Sequence, residues 1–507
     1  MSAHEFVTHL PRFTSGIPGL DQVLNGGFFA GGVYIVEGAP GAGKTILASQ
    51  ICFHRAKDGQ RVLYVTLLAE SHARLLQHLQ DMSFFDAAAI PEHLTYVSGF
   101  RVLEEGGLRA LLDLLRRELH AQSANVVVLD GFVAVGESAE SDREFKKFVH
   151  ELQVQAVLGT CTFFLLSSGT SGDGAVQPIH TMVDGLVRLS DRIFGVRAQR
   201  ELQVQKFRGS RYQRGLHSFE ISDDGIRVYP RLESSSATSC EDSGSSRLTI
   251  GIPRLDAMIG GGLLAMSTTM ILGPSGVGKT VVGYRFLACS TAMEKGLLFS
   301  FYETPERVLA KSRGVGIDLA AKYDGGDVEL VWQSPVESTL DAIGWRILES
   351  VDRLGAKRLF VDGFNALESA SPHPERVPQF FAALNRELQA RGVTTVYAAE
   401  LHQIFSPQIA VPLRGLSPLI ENMLLMRFVE LRAQLRRTLS VIKLRDSEFD
   451  PAICEFCLTS HGLDVVDSLD GAEELMTGVA HETPRARSQK PGSRRARTKP
   501  KPKRRRG

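Results

Sequence analysis

The sequence predicts an α/β chain of two tandem domains, each built on a mostly parallel central sheet, followed by a basic tail that cannot hold a core. Two glycine-rich loops carry the prediction first: Gly38-Ala39-Pro40-Gly41-Ala42-Gly43-Lys44-Thr45 and Gly273-Pro274-Ser275-Gly276-Val277-Gly278-Lys279-Thr280, offset by 235 residues. Each follows an apolar run and precedes a helical pattern, the strand–loop–helix setting in which such a loop cradles phosphate. The second observation is an apolar strand ending in aspartate, Val126 to Asp130 and Leu359 to Asp362. The third is repetition. Gly16-Ile17-Pro18-Gly19-Leu20-Asp21 matches Gly251-Ile252-Pro253-Arg254-Leu255-Asp256, Gly26-Gly27 matches Gly261-Gly262, and Lys206-Phe207-Arg208 matches Lys443-Leu444-Arg445, all at offsets near 235. Preserved spacing across separated features means internal duplication.

Taken in order, the start from Met1 to Ser15 has no basic segment followed by an apolar one, and no stretch is long enough for a membrane span, so a cytoplasmic protein is expected. Gly32 to Val36 reads as a buried strand. In the loop after it, Gly38, Gly41 and Gly43 let successive backbone N–H groups turn toward phosphate oxygens, Lys44 adds a point charge, and Thr45 supplies a hydroxyl for Mg²⁺. Gly273, Gly276, Gly278, Lys279 and Thr280 repeat the set. Arg61 to Leu67 reads as the next strand and Ala73 to Gln80 as a helix; Asn125 to Leu129 and Thr162 to Leu166 are strands with a helix, Arg143 to Val157, between them. Their continuous apolar character suits strands covered on both faces, which places a nucleotide outside their carboxyl ends.

Phosphoryl chemistry needs a carboxylate on the metal, a group that orients or deprotonates water, and cations on the γ-phosphate. Asp130 and Asp362 are the metal-side candidates, against the competing role of capping a turn. Glu70 and Glu303, just beyond the strand that follows each loop's helix, are the candidates for activating water, against a solvated Glu in a first helical turn. Lys206 with Arg208, and Lys443 with Arg445, lie on late alternating strands; they could reach a neighbouring subunit's nucleotide or merely protect an exposed strand edge.

At 507 residues, 43% hydrophobic and 23% charged, the composition is that of a soluble chain too long for one core. Domains are expected at 1–232 and 247–466, with a Ser/Gly-rich linker at 233–246 and a disordered tail at 467–507. The formal charge is +1, yet Arg485 to Gly507 holds twelve Lys or Arg and no acid, which leaves −11 on the rest. The six cysteines follow no disulfide framework. Cys454 and Cys457 are read as buried strand thiols in preference to a metal or redox pair.

Tandem loops, the repeated Gly-Ile-Pro-x-Leu-Asp opening, strand-terminal aspartates and the late Lys-x-Arg together resemble the KaiC family of RecA-type ATPases, over roughly Phe13 to Val465. The resemblance implies two tandem RecA-like P-loop NTPase domains, ATP with Mg²⁺ at subunit boundaries of a two-tiered homohexameric ring, slow hydrolysis, and serine/threonine autokinase activity in the C-terminal copy, read out through signalling partners. Two departures stand out. Where the family has paired glutamates, this chain has Ala69-Glu70 and Tyr302-Glu303. Where the family has tandem phosphoacceptors, it has Ser417-Pro418, which leaves Ser417 as the one acceptor. Two other classes stay open: a RecA- or RadA-like DNA-dependent ATPase with the tail on nucleic acid, disfavoured by the acidic body, and a nucleotide-gated scaffold with negligible turnover.

Overall fold

The computed structural model describes residues 11–69, 72–169, 178–234, 246–401, 415–431, 434–445, 447–459, 462–468, 472–473 and 481–482. The first half contains a nine-stranded sheet: β1 Val33–Gly38, β2 Val62–Thr66, β3 Leu94–Ser98, β4 Val126–Asp130, β5 Thr162–Ser167, β6 Gly185–Phe194, β7 Arg197–Phe207, β8 His217–Ser222 and β9 Gly225–Tyr229. The second half repeats it: β10 Thr268–Gly273, β11 Lys295–Ser300, β12 Val328–Trp332, β13 Ala356–Asp362, β14 Thr394–Glu400, β15 Asn422–Leu431, β16 Gln434–Leu444, β17 Cys454–Thr459 and β18 Gly462–Ser468. Strand order is β3-β2-β4-β5-β1-β6-β7-β8-β9 in the first sheet and β12-β11-β13-β14-β10-β15-β16-β17-β18 in the second. The two topologies are the same, as the repeat predicts.

In both sheets the first six strands run parallel and the remainder form antiparallel hairpins. Side chains alternate across the parallel part, so each strand feeds two cores. Val36, Tyr64 and Val128 pack on one face with Leu47 and Ile51 of α1 (Lys44–Lys57). Ile35, Val65 and Leu129 pack on the other with helix α2 (Phe100–Gln122) and with Phe148 and Leu152 of α3 (Asp142–Gly159). Ser141 starts α3 by accepting a hydrogen bond from the Glu144 N–H. Each such side chain, fully buried, contributes about 1.5–3 kcal/mol. The second half does the same with α5 (Lys279–Ala288), α6 (Pro305–Gly314), α7 (Leu340–Leu354) and α8 (Val377–Ala390), while α4 (Pro178–Met182) leads into β6 of the first half.

The repeated Gly-Ile-Pro opening is a turn. Asp21 accepts from the Ser15 N–H at 2.9 Å and Asp256 from the Ile250 N–H at 2.8 Å, and Gly16 and Gly251 take positive φ there.

Three expectations are corrected. The linker does not begin at Glu233: Leu232 packs in the second half's core and Glu233 pairs with Arg376; residues 235–245 lie outside the described residues. The second domain does not stop at 466, because β18 runs to Ser468, and Ala472–Glu473 pairs with His481–Glu482 inside the expected tail. Arg485 to Gly507 lies outside the described residues. Cys454 and Cys457 do lie on a strand, but a separation of three puts them on opposite faces, Cys454 buried and Cys457 exposed. Among the described residues, no helix is long and apolar enough to cross a membrane.

Candidate functional site

Each glycine loop joins the central strand to a helix: β1 to α1 and β10 to α5. Gly41, Gly43, Gly276 and Gly278 have φ between +75° and +118°, a region that side chains resist. At Gly38 and Gly273 the reason is different. A Cβ there would lie 2.6 Å from the Leu189 or Met426 carbonyl oxygen of the adjoining strand. The lysines fold back into their loops: Lys44 Nζ donates to the carbonyls of Gly38 and Ala39 at 2.7 and 3.0 Å, and Lys279 Nζ to those of Gly273 and Pro274, both at 2.8 Å. Desolvation lowers both ammonium pKa values, opposed by Asp130 at Lys44 and by Glu400 and Asp362 at Lys279.

Beneath each loop a hydroxyl meets a carboxylate. Thr45 Oγ1 donates to Asp130 at 3.1 Å, and Thr280 Oγ1 to Asp362 at 3.1 Å. A threonine hydroxyl and a carboxylate at the mouth of a phosphate loop are hard oxygen donors of the kind Mg²⁺ takes alongside phosphate oxygens, so the residues fit that ion. Desolvation raises the pKa of both aspartates; at Asp362 the nearby Glu303 charge adds to it and the value reaches about 6.

Sequence reasoning missed two tyrosines here. Tyr64, fully buried on β2, donates to Asp130 Oδ2 at 2.8 Å. Tyr284, on α5, donates weakly to Glu303 at 3.5 Å. An aromatic polar residue at a buried strand or helix position, whose hydroxyl needs a partner, was the only available signal. A third feature was also missed: buried Glu37, next to Gly38, takes Arg188 in a two-pronged pair at 2.8 and 3.0 Å. The second half has Leu272 and Leu425 at those ladder places.

Glu303 forms an ion pair with Lys311 and donates its own N–H to Ser300 Oγ. Glu70 lies outside the described residues. Thr66 pairs with Asp130 and Ser300 pairs with Asp362, so Glu303 follows its strand's aspartate-paired residue by three positions.

The late cations sit at the strand ends remote from their own loops. Lys206 opposes Leu186, which pairs with Ile35, and Lys443 opposes Met423, which pairs with Met270; in each half the loop starts three residues further along, about 10 Å. Lys206 donates to the carbonyls of His180 and Thr181, and Arg208 to those of Thr181 and Met182. Lys443 donates to the carbonyls of Ser417 and Ile420, and Arg445 to that of Pro418. Ser417 is exposed in this turn. Both copies therefore place a basic pair against the segment that leads into β6 or β15.

A family model described as the KaiC ATPase matches residues 13–233 and 248–470. Relatives named circadian clock oscillator protein KaiC match nearly end to end: that of Picosynechococcus sp. is 25% identical over 476 residues, covering 91% of this chain and 91% of the relative. Those of Parasynechococcus marenigrum and Synechococcus elongatus are each 24% identical, over 93% and 92% of both chains. With the same strand order in both halves, two complete phosphate loops and a family model spanning most of its length, the chain belongs to the KaiC family of P-loop ATPases.

Proposed function

We propose that the protein is a cytoplasmic, ring-forming ATPase that binds ATP with Mg²⁺ at both loops, hydrolyses it slowly and phosphorylates itself on Ser417, signalling through the state of the ring. The observation that carries the reading is the threonine–aspartate pair beneath each loop, built the same way twice. The metal would neutralise charge developing on the phosphates when bound. This chain's residues do the rest: loop amides and Lys44 or Lys279 hold the β- and γ-phosphates, and Glu303 orients and deprotonates water.

The remoteness of Lys206, Arg208, Lys443 and Arg445 from their own loops supports service to a neighbouring subunit's nucleotide, as does their attachment to carbonyls that fix their direction. Since Ser417 lies on the segment held by Lys443 and Arg445, the same subunit boundary would bring its hydroxyl near a neighbour's γ-phosphate. Pro418 supplies no second hydroxyl, so one phosphoryl group per chain is expected.

Incubation with Mg-ATP followed by intact-mass measurement and phosphosite mapping tests the reading. A single added phosphoryl group on Ser417, absent in Lys279→Ala, supports the kinase half. Phosphate release without added mass leaves a plain ATPase, and no retained ATP in the wild type removes the proposal.

A further inference from the structure

We propose that Tyr302 makes the C-terminal site distinguish ATP from ADP: its phenol stands where the terminal phosphoryl group arrives and donates a hydrogen bond to it. This rests on the reading above for the identity of the ligand and deepens it by naming a residue that reads the third phosphate.

Tyr302 is held by its two chain neighbours. The Phe301 N–H donates to the Asp362 carbonyl at 3.4 Å, which carries the β11–β13 contact one residue past the ladder, and the Phe301 ring is buried. The Glu303 N–H donates to Ser300 Oγ at 3.1 Å. Between these anchors the Tyr302 ring packs against Gly363, the residue after the metal-side aspartate. A Cβ on Gly363 would lie 2.7 and 2.9 Å from Cε2 and Cδ2 of that ring, and Gly363 has φ +96°, so only glycine fits there without strain. The first half repeats the fit with Leu68 against Gly131, whose φ is +89°. Leucine brings hydrocarbon to that place, whereas Tyr302 brings a hydroxyl. The Tyr302 side chain is 62% exposed, which leaves it open to a ligand.

Charge locates the phenol along the triphosphate. Glu400 and Asp362 both act on Tyr302, and the same two carboxylates act on Lys279. Tyr302 and the loop lysine therefore share one neighbourhood at the mouth of the loop. Glu400 is fastened there by its backbone, whose N–H donates to Asn365 Oδ1 at 2.7 Å and whose carbonyl accepts from Asn365 Nδ2 at 3.3 Å. A loop lysine and a metal-side carboxylate both serve the β- and γ-phosphates, so a side chain that shares their surroundings stands at the far end of the triphosphate. Burial raises the phenol pKa and the two carboxylates raise it further, so the hydroxyl keeps its proton at neutral pH and can donate it. A neutral donor among carboxylates meets the γ-phosphoryl oxygens without repelling them, and a hydrogen bond to a charged oxygen is the strong kind. ADP brings no oxygen to that place.

The test is calorimetric binding to full-length Lys44→Ala protein, in which only the C-terminal loop is left to fill, with Mg²⁺ and either ADP or a non-hydrolysable ATP analogue. Tyr302→Phe keeps the ring against Gly363 and removes the hydroxyl. It is expected to weaken the analogue about 10- to 100-fold, the scale of a hydrogen bond to a charged group, and to leave ADP affinity within about twofold. Unchanged ADP binding also shows that the site is intact. Tyr302→Glu, which sets an anion at the same place, should weaken the analogue more than Tyr302→Phe does. If Tyr302→Phe leaves the analogue's affinity unchanged, or weakens the analogue and ADP alike, or binds the analogue less tightly than Tyr302→Glu, the role of Tyr302 is overturned while the nucleotide reading stands. If neither nucleotide binds before Tyr302 is changed, the underlying reading fails instead.

Discussion

Asp362 and Asp130 occupy equivalent ladder places and respond differently to their surroundings. Asp362, raised to about 6 by desolvation and by Glu303, binds a proton in the folded state at pH values where the unfolded chain has already lost it. Its contribution to stability therefore falls as pH rises from the ordinary aspartate range through about 6, and the charged form that a metal requires is scarce below that point. Mg²⁺-dependent ATP retention at the C-terminal site is accordingly expected to weaken as pH drops below about 6, by close to tenfold per unit, read by titrating Lys44→Ala protein at several pH values. Asp362→Asn should raise the thermal midpoint of the metal-free protein at pH 7 by a few degrees and abolish the further rise that Mg-ATP gives. At Asp130 the test is Tyr64→Phe. It keeps the ring and removes one hydrogen bond to a charged group, so a loss of about 1.5–3 kcal/mol is expected in urea denaturation of the nucleotide-free protein. The loop glycines, lysines, threonines and strand-end aspartates were legible because their chemistry dictates residue type at fixed spacing. Tyr64 and Tyr284 were not, since an isolated tyrosine in an apolar run looks like any core aromatic until its hydroxyl partner is located.

The parallel strands read from the sequence, β1, β2, β4, β5 and the end of β13, lie within about two residues of their expected bounds, because burial on both faces makes them continuous apolar runs between turn residues, whereas β3, β6, β11, β12 and β14 were not read. Helix α2 was missed for a physical reason. Gly106 and Gly107 interrupt its pattern, and Gly107 has φ +64° and ψ −164°, so two helical pieces meet at a kink that punctuation rules read as a break. The hairpins β6–β7 and β15–β16 bring the late cations to the far end of each sheet, which sequence spacing alone could not establish. Service to a neighbour predicts complementation: Lys279→Ala subunits and Arg445→Ala subunits, each nearly inactive, should recover part of the wild-type phosphate release when mixed before ring assembly. Recovery absent at every mixing ratio would assign Arg445 to its own fold instead.

The duplication was visible along the whole chain, but the joint between its halves was not. Arg376 binds Glu233 through two bonds of 2.7 Å and Asp341 through bonds of 2.9 and 2.6 Å, drawing together residues 143 and 35 positions away. No local pattern encodes such a triad. Asp341 is 2% exposed, so Arg376→Ala leaves an uncompensated internal charge and should cost about 3–5 kcal/mol, seen as a lowered denaturation midpoint. The joint has a second member. Arg197, at the turn end of β7, donates to the backbone carbonyls of Ser369, Pro335 and Ser338 at 2.7, 3.0 and 3.1 Å. Carbonyl oxygens are present whatever side chain they carry, so this contact recognises a path of main chain. The second half is free to drift in residue identity at those three sites without loosening the seam, whereas the arginine that grips them is not interchangeable.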